Sequence, residues 1–227
     1  MILSAHQLHY LPWLRYFHKI AESDVFVVMD NIQFNKNGWQ NRNKIKCANG
    51  WMYLTVPIYN KFQQRIDEVK IDNNQNWRAK HWNALVCNYS KAPYFKEYKD
   101  FFEKIYLREW VDLNQINYEM FYFYLDVLGI KTKIVKASDL KVEGTDTMRL
   151  ANICKALGAD TYHSGAYALE VYLDEKIMTD AGIKITLQDW HCPQYQQQFM
   201  KAGFVPDLAI VDLIFNHGPE SADIILK

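Results

Sequence analysis

Met1-Ile2-Leu3-Ser4-Ala5-His6-Gln7-Leu8-His9-Tyr10-Leu11-Pro12-Trp13-Leu14-Arg15-Tyr16-Phe17 is the stretch on which the reading of the fold turns. Its first residues are apolar and read as a strand. A polar turn with two histidines follows. Pro12 suits a first helical turn because its missing N–H is not needed there, and Trp13, Leu14, Phe17 and Ile20 recur at helical spacing. Asp24-Val25-Phe26-Val27-Val28-Met29-Asp30 then gives an apolar run bounded by aspartates, the pattern of a strand buried on both faces. Strand, turn, helix and strand form a βαβ unit, and in open α/β sheets polar ligands bind where strand carboxyl ends meet helix N-termini. His6, Gln7 and His9 occupy that place.

The rest of the chain extends this unit. Lys44 to Cys47 and Trp51 to Pro57 flank Asn49-Gly50, a hairpin signal, and a strand near Val69 to Ile71 is expected to extend the hairpin. Helices are predicted at about Trp77 to Tyr89, Tyr94 to Arg108 and Leu113 to Leu128. After Gly129 the pattern alternates again: strand Thr132 to Lys136, helix Asp146 to Leu157 closed by Gly158, strand Thr161 to His163, a helix from Ala166 past Leu173, strand Ile183 to Leu187, and a short helix after Ser221. The prediction is a mostly parallel, Rossmann-like α/β sheet with a β-hairpin, in one domain over residues 1–227 carrying a helical insertion at about 76–129.

The 227 residues carry 26 basic and 26 acidic side chains, so no overall field favours a nucleic-acid backbone or an anionic membrane. No apolar run is long enough to span a bilayer and no signal-peptide pattern opens the sequence, which points to a cytoplasmic protein. Cys47, Cys87, Cys154 and Cys192 stand far apart and read as reduced bystanders. The 49% hydrophobic content suffices for a core. Aromatic residues make up 15% of the chain, which fits a bulky core and equally a sugar- or base-binding cleft.

Several constellations could carry chemistry. His6 and His9, three apart at a helix start, could hold a phosphate or move a proton, and their spacing is similar to the His-x-x-His element of nucleotidylyltransferases; a satisfied structural histidine is the competing reading. Arg42 and Asn43, in the amide-rich loop from Asn31 to Lys44, suit bidentate recognition of a carboxylate or phosphate. Lys80-His81 lies among Trp77 and Trp82, where a lysine could clamp phosphate or act as an amine catalyst. Ser164-Gly165 repeats the strand-to-helix logic of the first turn. Tyr195 and Asn216 place polar groups among aromatics, and Asp212, between Val211 and Leu213, needs a partner if buried: a substrate hydroxyl, a cation or a structural group such as Arg42. His191, Cys192 and His217 have no spacing specific for a metal, and no metal site is assigned. Arg149 in Thr145-Asp146-Thr147-Met148-Arg149 matches the Ser-Thr-x-x-Arg phosphate clamp only if one residue of spacing is forgiven, and is read as coincidence.

Taken together, His6-Gln7, Tyr10-Leu11-Pro12-Trp13, Gln33-Phe34, Asn41-Arg42-Asn43, Lys46, Leu54-Thr55-Val56-Pro57, Lys80-His81, Ala92-Pro93-Tyr94-Phe95, Ser164-Gly165 and Asp212-Leu213-Ile214-Phe215-Asn216 resemble the WbqC-like family nearly end to end. The family pattern has Pro at Leu8, Asn at His9 and Gly at Arg15, so of the two histidines only His6 belongs to it. The resemblance implies a bacterial protein of O-antigen or other surface-glycan assembly. The favoured activity is transfer of an acyl or aminoacyl group to an amino sugar, with ATP or acyl-coenzyme A as candidate donors and an amino-sugar nucleotide or glycolipid as partner. In that reading His6, Lys80 and His81 are catalytic, while Gln7, Tyr10, Arg42, Asn43, Ser164, Gly165, Tyr195, Asp212 and Asn216 bind substrate. The alternatives are a nucleotidylyltransferase-like, ATP-using enzyme and a non-catalytic sugar-binding protein of the same pathway. Convergence of these residues in one cleft separates the enzyme readings from the last.

Overall fold

A computed structural model describes residues 1–36, 38–59, 61 and 63–226. In chain order the elements are β1 (Ile2–His6), α1 (Leu14–Ala21), β2 (Val25–Val28), β3 (Arg42–Cys47), β4 (Gly50–Thr55), β5 (Ile58–Tyr59), β6 (Lys70–Ile71), α2 (Trp77–Tyr89), α3 (Phe95–Leu107), α4 (Leu113–Val127), β7 (Lys133–Lys136), α5 (Asp146–Leu157), β8 (Thr161–Ser164), α6 (Ala168–Val171), α7 (Glu175–Asp180), β9 (Lys184–Leu187), α8 (Ile210–His217) and α9 (Ser221–Ile225).

Five strands form one parallel sheet in the order β7-β2-β1-β8-β9. β1 is central: Leu3 pairs with Val25 on one side and with Tyr162 on the other. The winding therefore runs outward from β1 through β2 to β7, then returns across the sheet to β8 and β9. This is the doubly wound arrangement, with its reversal point between β1 and β8.

Alternation along the strands covers both faces. Phe26 and Val28 join the larger apolar cluster with Tyr16, Phe17 and Phe121, where the Phe26 ring lies 5.6 Å from Tyr16 and 6.0 Å from Phe121. Leu3, Ala5, Val25 and Val27 point the other way, into a second cluster with Ala151, Cys154 and Met178 of α5 and α7. A strand sandwiched between helical layers must be apolar on both faces, which is why β2 has no exposed residue.

Three expectations are corrected. β6 does not extend the β3–β4 hairpin; it pairs with β5 in a separate two-stranded ladder. The helix expected from Ala166 past Leu173 is two helices, because Asp174 accepts a hydrogen bond from the Ile177 N–H (3.2 Å) and so caps a new start at α7. Pro12 is not in the first helical turn. α1 begins at Leu14 after a tight turn in which Leu11 takes a left-handed conformation (φ 49°).

That turn is held by residues of the amide-rich loop and β3. The Tyr10 N–H donates to the Trp39 carbonyl (3.1 Å), and the buried Asn43 Nδ2 donates to the Leu11 carbonyl (2.5 Å). A left-handed leucine is disfavoured by about 1–2 kcal/mol, so it persists because these bonds and complete burial over-determine it. Asn43→Ala leaves the Leu11 carbonyl buried without this donor, and we predict a loss of about 1–3 kcal/mol in urea unfolding. The exposed Lys80→Ala should stay within about 0.5 kcal/mol in the same assay.

Candidate functional site

The chain leaves β1 at His6 and β8 at Ser164, on either side of the reversal point, and two chambers open there with His6 and Tyr172 as their common wall. The larger, about 700 Å³, lies toward β2 and α5 and is lined by Gln7, Asn31, Gln33, Thr145, Asp146 and Arg149 among others. The smaller, about 240 Å³, lies toward α1 and the loop after β8, with Trp13, Arg15, Lys19, Gly165, Tyr167 and Gln188 in its walls.

His6 ends β1, half-buried, with its ring edge-on to His9 (4.6 Å between centroids) and to Tyr16 (5.3 Å). Its Nδ1 lies 3.1 Å from the Gln7 carbonyl. A carbonyl can only accept, so Nδ1 carries the proton and, in the neutral ring, Nε2 holds the lone pair. The ring is neutral at physiological pH: burial, with Lys19 and His9 close by, pushes the His6 pKa well below its usual value. Burial likewise brings His9 down to about 3, and its Nδ1 has no hydrogen-bond partner among the described residues. Both histidines are built as neutral imidazoles.

Lys19 is the residue that sequence reading missed. It sits on α1 beneath the smaller chamber, 5% exposed, and donates to the Ala5 carbonyl (3.3 Å). Burial lowers its pKa to about 7. A lysine three residues beyond Tyr16 on the buried side of an amphipathic helix was the available signal. Nearby, Glu22 lies 3.2 Å from His163 Nε2 and 3.4 Å from His18 Nδ1, and Gln188 Nε2 donates to His18 Nδ1 (2.9 Å).

On the larger side, α5 starts after Thr145 with no side-chain cap, and its N-terminal end contributes Thr145, Asp146 and Arg149 to the chamber's lining. Arg149 Nη2 donates to Asn31 Oδ1 (2.6 Å), which aims the guanidinium. The spacing set aside as coincidence thus places an arginine in the same cleft as His6. Tyr172 is held from two sides, by the Ser164 hydroxyl on its Oη (2.8 Å) and by the Thr147 hydroxyl, which donates to its carbonyl (3.1 Å).

Of the residues singled out from sequence, His6, Gln7 and Gly165 line this cleft, and Ser164 supports it by positioning Tyr172. The others lie elsewhere. Lys80 is exposed on α2, and His81 is buried with Nδ1 2.7 Å from the Tyr10 hydroxyl, itself 2.6 Å from Tyr106 Oη. Tyr10 and His81 thereby belong to a hydrogen-bonded core network, and neither Lys80 nor His81 lines the cleft at His6. Asn43 braces the Leu11 turn. Arg42 stands on β3 with its guanidinium 4.9 Å from the Tyr53 ring centre. Asp212 accepts from the Tyr89 hydroxyl (2.8 Å) rather than pairing with Arg42, and Asn216 Nδ2 donates to the Asp212 carbonyl (2.7 Å). Tyr195 lines a separate hollow with Gln197, Gly203 and Phe204. Among the described residues no group of three or more His, Cys, Asp or Glu side chains is arranged to hold a metal ion.

The buried histidines set the acid stability. His9 and His81, with pKa values of about 3 and about 4, bind fewer protons folded than unfolded once the pH drops below 6.5. Each therefore removes stability as pH falls, at roughly 1.4 kcal/mol per pH unit. Asp212, raised by burial to about 6, acts in the opposite sense between about 6 and 4 and offsets one of them. We predict a melting temperature that falls steadily from pH 6.5 to 4, a fall that steepens in Asp212→Asn and flattens in His9→Gln, read by circular dichroism.

No helix among the described residues is long and apolar enough to cross a membrane. No solved structure matches the chain. An uncharacterized protein of Mycobacterium tuberculosis (strain ATCC 25618 / H37Rv), Rv1507c, is 37% identical over 220 residues, which cover 96% of this chain and 94% of that protein. The profile of the WbqC-like protein family matches residues 7–224, a span that holds both chambers apart from Ala5 and His6 at the end of β1. By these two likenesses, and by a sequence that carries the family's motifs from the first turn to α8, the chain belongs to the WbqC-like protein family.

Proposed function

We propose that this protein is an ATP-dependent transferase that joins a carboxylic acid to the amine of an amino sugar, in the surface-glycan assembly that the family likeness implies. The observation that carries the reading is the shared wall: one histidine with a free lone pair stands between a chamber with an aimed arginine and an open helix start, and a smaller chamber with a buried lysine. Two substrates that meet at a reacting centre require such a layout.

In the proposed sequence the nucleotide phosphates lie against Arg149 and the first turn of α5, where donors match phosphate oxygens. A carboxylate oxygen attacks the α-phosphorus, the bond to the bridging oxygen breaks, and pyrophosphate leaves with its electron pair. The resulting acyl adenylate is attacked at its carbonyl carbon by the sugar amine, and AMP leaves. The amine must lose its proton to attack. His6 Nε2, held as the acceptor nitrogen by the Nδ1 bond to Gln7, is placed to take it. A neutral His6 fits a base better than a cationic phosphate clamp, which favours acyl transfer over nucleotidyl transfer as the end point.

Incubation with ATP, candidate carboxylic acids and amino-sugar nucleotides should yield an N-acylated sugar by mass spectrometry, with AMP and pyrophosphate. His6→Ala should lower acylated product by about 10² or more while affecting carboxylate-dependent ATP–pyrophosphate exchange less, since exchange precedes amine attack. Arg149→Ala should weaken nucleotide binding about 10- to 100-fold, the worth of a hydrogen bond to a charged group. A nucleotidylated sugar without acylation would sink the reading in favour of nucleotidyl transfer. Acylation from acyl-coenzyme A without ATP would sink the activation step.

A further inference from the structure

We propose that the smaller chamber is a carboxylate subsite, in which the acid to be transferred is held by Lys19 and Arg15 with its carboxyl group beside His6. This rests on the reading above for which substrate is meant, but the geometry of the chamber argues for an anion by itself.

Its walls contain two cations, Arg15 and Lys19, and no carboxylate. Lys19 is 5% exposed, and among the described residues its hydrogen bonding is limited to the Ala5 carbonyl, although an ammonium has three donors. Among the described residues no carboxylate is ion-paired with it, Glu22 being engaged with His18 and His163. Arg15 Nε is buried with no hydrogen-bond partner among the described residues, and Asp207, 3.8 Å from the guanidinium, stands outside the chamber. Buried donors short of acceptors are costly and uncommon, and the spare donor positions of the Lys19 ammonium together with the unpartnered Arg15 Nε, on successive turns of α1 that line one small hollow, fit an acceptor that arrives with the substrate.

Size selects the kind of anion. At about 240 Å³ the chamber is smaller than the range of about 300–1,000 Å³ typical of sites for drug-sized ligands, so a nucleoside does not belong here while a small acid does. Trp13 and Tyr167 flank the chamber and offer apolar surface for the rest of such an acid, and Gln188 adds an amide. The common wall of His6 and Tyr172 would put its carboxyl group next to the larger chamber, where the nucleotide is proposed to sit.

Occupancy has a proton signature. The groups facing Lys19 are His6 and His9 from the first turn and His163 from β8, with His18 and Glu22 beside it on α1. All four histidines are held below their usual pKa, so the ligand-free cluster is poor in protons. A bound carboxylate stabilises the ammonium form of Lys19, whose pKa is about 7, and protons are taken up at neutral pH.

The test is calorimetric titration of the full chain with acetate and with glycine at pH 7, each in two buffers of different ionisation heat, against acetamide and glycinamide. The expected result is binding of the acids with proton uptake and at least ten-fold weaker binding of the amides. Lys19→Met, which keeps an apolar stem, should weaken acetate binding at least ten-fold. Lys19→Arg should bind acetate but show less proton uptake, because a guanidinium does not titrate there. That variant decides the matter should Lys19→Met fail to fold by thermal melting. Equal binding of acetamide and acetate, or full proton uptake in Lys19→Arg, would overturn the proposal. Inorganic phosphate that binds more tightly than either acid and displaces it would also overturn it, and would assign the chamber to phosphate. The readout needs neither ATP nor turnover, so acetate binding without ATP use sinks the activation chemistry alone, and ATP use without acetate binding sinks this subsite alone.

Discussion

The central position of β1 is the constraint on which the remaining structure depends. Because β2 and β8 flank it, the connection from β1 must leave toward one edge of the sheet and the later chain must return toward the other. Right-handed crossovers then carry their helices to opposite faces, and the backbone parts at the carboxyl ends of β1 and β8. Side chains at those ends have no strand beyond them to cover them. His6 at one end and Gly165 after the other become walls of a cleft for that reason.

The electrostatics of the cleft follow from what is packed behind it. α1 lies against the sheet with an almost continuously buried surface, so Lys19 and His18 are desolvated along with Tyr16, Phe17 and Ile20. Desolvation disfavours the charged forms of both residue types, and the Lys19 charge lowers His6, His9 and His163 further. The result is a group of bases held short of protons beside a polar cavity, with Glu22 as the nearby acid. Perturbed bases in a cleft are common at functional sites, and here the perturbation originates first in burial, with the Lys19 charge adding to it.

Several residues that look chemical in the sequence are instead engaged in holding the fold. Tyr10, His81 and Tyr106 satisfy one another in the core; Asn43 restrains a left-handed leucine; Asp212 accepts from Tyr89, whose hydroxyl also accepts from the Lys46 N–H (2.8 Å), while Lys46 Nζ donates to the Gly203 carbonyl. Polar groups buried between elements are for the most part hydrogen-bonded, and such partnering demands specific side chains as binding does. A motif is therefore no guide to whether its residues face a ligand or one another.

The sequence by itself determined the alternation of strands and helices, because hydrophobic period and turn chemistry are local: β1, α2, α5 and β9 are legible from their own residues, as is the turn that bears His6. It also carried the family motifs. What only the tertiary structure decided is which distant groups meet. Arg149 comes to His6 because α5 starts beside the carboxyl end of the sheet, Lys19 becomes a buried base because of what α1 packs on, and Lys80 is left in solvent because it lies on the outer side of α2. Burial and convergence depend on contacts between residues far apart in the chain, and a local pattern can place Lys19 on the buried side of its helix but does not fix the desolvation that brings its pKa to about 7 and pushes the buried histidines well below their usual range.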